Sequence, residues 1–156
     1  MRRYFRRAAI ALCLGLVAIQ FVRPTKNLSP GPMPPEDLRA AHPMPEAIRR
    51  RLEVACYDCH SNNTRYPWYA EIQPVAWWLD WHVRDGKHEL NLSNFGSYSL
   101  KRQADKLDSI IDELNERKMP LRSYTWTHRD AAFTDADIAA IVAWAEALRD
   151  KLSEQL

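Results

Sequence analysis

An all-α fold is what this sequence predicts, on three observations. Apolar residues recur at helical spacing in three windows, around residues 75–82, 100–114 and 138–148. Almost nothing alternates as a half-buried strand does. The windows are punctuated by Pro45, Gly86, Met119-Pro120 and Thr134-Asp135, residues that start or stop helices. At 156 residues, the chain suits one domain with accessory segments.

Residues 1–23 read as a membrane anchor. Arg2, Arg3, Arg6, Arg7 and Arg23 stand there without an acid. The remainder therefore holds 17 basic against 20 acidic residues and carries about −3. The overall charge of +2 belongs to the leader, and nothing points to a nucleic-acid partner. The apolar run from Ala8 to Val22 follows the arginines, as in a signal-anchor helix whose basic end stays in the cytoplasm. Its length as a helix is about 22 Å, short for a bilayer, but Tyr4, Phe5 and snorkelling arginines extend it. Ile19-Gln20-Phe21-Val22-Arg23-Pro24 offers no small-residue cleavage site, so an uncleaved transmembrane helix is expected. Cys13 reads as an inert apolar residue of this run. The rest of the chain then lies outside the cytoplasm, as in a single-pass protein of a bacterial inner membrane.

Residues 24–45 hold seven of the ten prolines and predict an extended tether. Met33, His42 and Met44 are expected to be solvated there. The folded domain is expected over 46–152. It opens with a short helix from Glu46 to Val54, for which Pro45 is preset.

That helix leads into Cys56-Tyr57-Asp58-Cys59-His60, a Cys-x-x-Cys-His pentad. With three Cys and five His in the chain, chance predicts roughly 0.002 such pentads. Two thiols one helical turn apart can each add to a vinyl group of one haem, and the adjacent histidine becomes an axial iron ligand. The competing readings are a zinc half-site and a redox dithiol. A zinc site wants a second ligand pair, and the only other cysteine is Cys13. A thioredoxin-like dithiol wants a βαβ setting that the sequence lacks. Covalent haem c, one per chain, is the favoured cofactor, with Cys56 and Cys59 attaching it and His60 on the iron.

A helix from about Pro74 to Asp85 follows, stopping before Gly86. Val75, Trp78, Leu79 and His82 share one stripe, with Trp77 and Trp81 beside it. These aromatics fill a small core or wall a flat macrocycle, and Trp78 is a candidate for the haem pocket.

Cys56-Tyr57-Asp58-Cys59-His60-Ser61-Asn62, Tyr66-Pro67-Trp68-Tyr69, Pro74-Val75-Ala76-Trp77 and Leu90-Asn91-Leu92-Ser93 together resemble the bacterial haem-binding domain family. Gln20 to Pro24 and Asn27 resemble it too, so the likeness runs from about residue 20 to 150. It implies a membrane-tethered, monohaem c-type protein and names no redox partner.

Ser99 to Lys118 reads as an amphipathic helix through Leu100, Ala104, Leu107, Ile111 and Leu114. Pro120 keeps Met119 out of that helix. A Met-Pro downstream of Cys-x-x-Cys-His resembles class I cytochromes c, in which the methionine sulfur is the second axial ligand. Met119 is therefore the favoured distal ligand. His82 is its main rival, with His88, His128 and an open position behind it. The connector after Pro120 carries Tyr124 and Trp126, expected as lids over a haem edge. Thr134 caps a last helix with Ile138, Ile141, Val142, Ala145 and Leu148 on one face, expected against the helix before the pentad.

The favoured architecture is a cytochrome c-like helical domain around one haem, and the favoured function is electron transfer without an enzymatic step. A redox protein would dock at the exposed haem edge, with no small-molecule substrate. One alternative is a five-coordinate haem sensor or peroxidase-like protein using His82 or Arg84. Another is a haem-free protein switching a Cys56–Cys59 disulfide.

Overall fold

The computed structural model describes residues 1–29 and 31–156. Its helices are α1 (Arg2–Ile19), α2 (Leu38–Ala41), α3 (Glu46–Ala55), α4 (Tyr57–His60), α5 (Val75–Glu89), α6 (Leu100–Asn115), α7 (Arg122–Thr127) and α8 (Asp135–Ser153). Short 3₁₀ turns at Trp68–Glu71, Leu92–Ser97 and Arg129–Ala131 join them. No strand occurs among the described residues, and the fold is all-α.

The core is built on α6 and α8, which lie along one another. Leu107, Ile111 and Leu114 of α6 share one buried cluster with Ile141, Ala145, Leu148 and Leu152 of α8. The spacing of each set is that of a single helical stripe, so burying both faces together removes the apolar surface of two amphipathic helices at once. Ser99 caps α6 by accepting from the Arg102 amide, and Thr134 with Asp137 forms a capping box at the start of α8. Helix α3 adds Ile48 and Leu52, so α8 meets α3 as expected but packs chiefly on α6.

Three expectations are corrected. Helix α1 begins at Arg2, which puts four arginines inside it and leaves an apolar stretch from Ala8 to Ile19 of only about 18 Å. No helix among the described residues is long and apolar enough to cross a membrane. The transmembrane reading of residues 1–23 is therefore withdrawn, although a helix does form there and none of its residues is buried.

The expected tether is not extended off the domain. Asp37 and Leu38 are fully buried, and the Gly96 amide donates to Glu36 O at 2.7 Å. A Cβ on Gly96 would stand 3.0 Å from the Ala41 side chain and 3.1 Å from Glu36 O, so glycine permits this approach. Asn27 donates through Nδ2 to Ser61 O and Thr64 Oγ1, at 2.8 and 2.9 Å. His42 and Met44, expected to be solvated, are not: His42 Nε2 lies 2.9 Å from Gln103 Oε1 with its ring edge-on to Phe95, and Met44 packs against the core, while Met33 is exposed. Composition is a poor guide here because a few side chains, Asn27, Asp37, Leu38, His42 and Met44 among them, dock a proline-rich segment onto the domain. Pro30, counted with that segment, lies outside the described residues.

Helix α5 does not stop before Gly86 but runs through it to Glu89. Gly86 passes against the pentad: an added Cβ would lie 2.9 Å from Cys59 O. The glycine marks a close crossing of α5 and α4 rather than a helix end.

Candidate haem site

The pentad is one tight turn continuing from α3. The amides of Cys59 and His60 both donate to Cys56 O, at 3.2 and 2.9 Å. Its residues divide by direction. Tyr57 and Asp58 are buried and held by polar partners, Cys56 and His60 line an apolar cavity, and Cys59 lies against Gly86 of α5.

Tyr57 donates to Asp37 Oδ1 at 2.8 Å. Arg39 grips both oxygens of Asp37, at 2.8 and 2.9 Å, reaches Glu53, and lies 3.9 Å over the Tyr57 ring. The Asp58 carboxylate accepts from the Arg65 amide and guanidinium, at 3.1–3.3 Å, and from the Tyr124 hydroxyl at 2.7 Å. Burial first, and Asp58 next, push the Tyr124 hydroxyl far above its ordinary range, so it stays a donor. Thr64 Oγ1 donates to Asp58 O at 2.7 Å. The turn is thus held from both of its variable positions. A charged residue between the two cysteines was the sequence signal for this, and its role becomes visible only with its partners.

The cavity on the other side has a volume of about 300 Å³. Cys56, His60 and Met119 line it with Leu38, Leu52, Leu90, Leu92, Ile110, Leu114 and Trp144, and Glu89, Lys106, Ser109 and Glu113 add its polar part. Met119 stands in the loop after α6, half-buried, its amide donating to Glu113 O at 3.3 Å. Residues 59 positions apart in sequence, His60 and Met119, thus share one apolar space.

His60 Nδ1 lies 3.1 Å from Leu90 O, a contact that fixes the ring and leaves Nε2 as the metal-binding nitrogen. Burial lowers its pKa, against the pull of the Leu90 and Gly86 carbonyls and Asp85, which favours the neutral imidazole that metals bind. Burial also pushes the Cys56 thiol up to about 12 and the Cys59 thiol up to about 11, with the Cys59 thiol adding to the first rise and Asp58 to the second. A dithiol switch needs the opposite, an attacking thiol of depressed pKa. No three His, Cys, Asp or Glu side chains converge to hold a bare metal ion among the described residues.

An imidazole, a thioether and one thiol on the wall of an apolar cavity, with the second thiol of the pentad one helical turn from the first, is a donor set that fits haem. A scan against family models matches residues 14–147 to the haem-binding domain. The chain belongs to the haem-binding domain family. No curated protein and no solved structure matches it.

The other residues proposed for the haem pocket lie elsewhere in this haem-binding domain. His82 is half-buried between Trp78 and Trp81, at 4.2 and 4.7 Å between ring centroids, and its Nδ1 is 2.8 Å from Trp78 O. Neither it nor Trp78 lines the cavity. Their stripe on α5 points away because Ala76 and Val83 are the buried positions of that helix. Tyr124 serves the Asp58 hub instead, and Trp126 is 80% exposed beside Arg122 and Arg129. The aromatic that does line the cavity is Trp144 of α8, which the sequence places beside the apolar face of that helix and gives no haem role.

Proposed function

We propose that this haem-binding domain carries one covalently attached c-type haem and transfers electrons at a membrane face outside the cytoplasm. The observation that carries the reading is the shared apolar cavity of Cys56, His60 and Met119. Cys56 and Cys59 would hold the ring by thioether bonds, and His60, oriented by Leu90 O, would supply an imidazole nitrogen to the iron. Met119 would supply a thioether sulfur to it. Bound haem provides a one-electron ferrous–ferric couple, whose potential His/Met ligation raises. Leu38, Leu52, Leu90, Leu92 and Trp144 exclude water, while Lys106 offers a cation to the haem carboxylates.

The sensor or peroxidase alternative has less support. Its distal candidates, His82 and Arg84, sit on α5 away from the cavity, and Arg84 pairs with Asp80 at 2.8 Å. Membrane attachment rests on α1, a helix with basic residues at one end and exposed apolar residues along the rest, suited to seating in a lipid interface. A redox protein is the partner this reading requires.

Protein matured with a cytochrome c assembly system is expected to give the pyridine haemochrome spectrum of two-thioether haem after acid–acetone extraction. Haem lost to the organic phase would refute covalent attachment, and loss in Cys56→Ala/Cys59→Ala alone would support it.

A further inference from the structure

The junction between α1 and the domain is a clamp rather than a hinge. The Gln73 amide donates to Gln20 Oε1 at 2.9 Å, and Gln20 Nε2 returns a bond to Gln73 O at 3.2 Å. Gln73 itself is 3% exposed, and its side chain reaches Val22 O at 2.7 Å. Arg23 and Lys26 both pair with Glu71. The C-terminal end of α1 is thereby fixed beside the N-terminal end of α5.

The outer face of α5 changes character along its length. Near the clamp it presents Trp77, Trp78 and Trp81, which are 38%, 45% and 55% exposed. Beyond them the same face presents Arg84, Asp85 and His88. Trp68, 77% exposed on the preceding 3₁₀ turn, adds to the aromatic end. Trp77 and Trp81 are separated by about 6 Å along the helix axis, which fits within one headgroup layer of a bilayer. Exposed tryptophans cost little at such a layer, where the ring is half in hydrocarbon and the indole N–H stays wet.

We propose that this aromatic end of α5, with Trp68, rests in the lipid interface into which α1 inserts. The clamp and the aromatic face together fix the domain's orientation to the membrane, leaving the charged end of α5 pointing to solvent. The choice of lipid over a protein partner follows from position, because the tryptophans are fastened next to a helix with no buried residue and fade into charge away from it. This inference rests on the proposed membrane attachment of α1.

The test is photolabelling of the full, haem-loaded chain in nanodiscs of phosphatidylcholine and phosphatidylglycerol, doped with a phospholipid bearing a diazirine near the headgroup. Trypsin, which spares the Arg23–Pro24 bond, releases 8–26 from α1, 66–84 with all four tryptophans, and 130–149 from α8. The expected result is labelling of 66–84 comparable to 8–26 and roughly tenfold above 130–149. Label confined to 8–26 would overturn the aromatic contact while leaving α1 as the anchor. Label in neither would overturn the membrane attachment and this contact together. The Trp77→Ser/Trp81→Ser variant, altering exposed positions only, should keep its haem spectrum and lose the label on 66–84; label retained there would also count against the proposal.

Discussion

The α6–α8 pair and the pentad turn are held by different physics. Between α6 and α8 the contact is apolar, through Leu107, Ile111 and Leu114 against Ile141, Ala145 and Leu148. Around α4 the anchors are hydrogen bonds: Tyr57 to Asp37, Asp58 to Arg65 and Tyr124, and Asn27 to Ser61 and Thr64. Apolar packing is non-directional and tolerates repacking, whereas a satisfied buried polar network specifies one geometry. A turn that presents Cys56 and His60 to one cavity needs the second kind. The helix pair supplies stability, and the turn supplies position.

This contrast can be broken by mutation. Leu107→Ala, at a fully buried site, should lower unfolding free energy by about 2–5 kcal/mol in chemical denaturation. The folded fraction should keep the haem spectrum of the parent. Asp58→Ala should cost less, about 1–3 kcal/mol, by removing the acceptor shared by the Tyr124 hydroxyl and the Arg65 amide and guanidinium, although Tyr124 keeps its bond to Val54 O at 3.0 Å. It should nevertheless reduce the yield of attached haem more than Leu107→Ala does. The reverse ranking of yields would dissolve the division between stability and position.

A smaller effect belongs to the start of α8. Arg51 and then Thr134 hold the Asp137 carboxyl well below the usual carboxylate range. A depressed folded-state value means that Asp137 contributes stability above its unfolded pKa of about 3.9 and loses it as pH falls through the lower folded value. Asp137→Asn should therefore destabilise by about 1 kcal/mol at pH 7, and the gap from wild type should close in urea titrations taken progressively below pH 4. A gap that persists unchanged at pH 2 would mean that charge is not its source.

Much of the helix pair was legible in the sequence, because a 3.6-residue stripe states both the element and the face it buries. The pentad was legible for a different reason, a rare spacing with a specific chemistry. Neither kind of signal reaches the Tyr57–Asp37 bond or the docking of Asn27, since pairings across 20 and more residues leave no local pattern. The same gap misassigned the aromatics. Trp78 and Trp126 are exposed, Tyr124 hydrogen-bonds to Asp58, and Trp144 lines the cavity, a distribution set by how helices cross rather than by any stripe. Gly86 reads as a stop in one dimension and is a crossing point in three. Met119 was the exception, placed outside its helix by Pro120 and found on the wall shared with His60.

The most direct test of the His60–Met119 cavity is the ferric absorption spectrum of haem-loaded wild type, Met119→Ala and His82→Ala. The sulfur-to-iron charge-transfer band should be present in wild type and His82→Ala and absent in Met119→Ala, with a lowered reduction potential in that variant alone. A band and potential unchanged in Met119→Ala, or lost instead in His82→Ala, would contradict the assignment of that cavity to the haem.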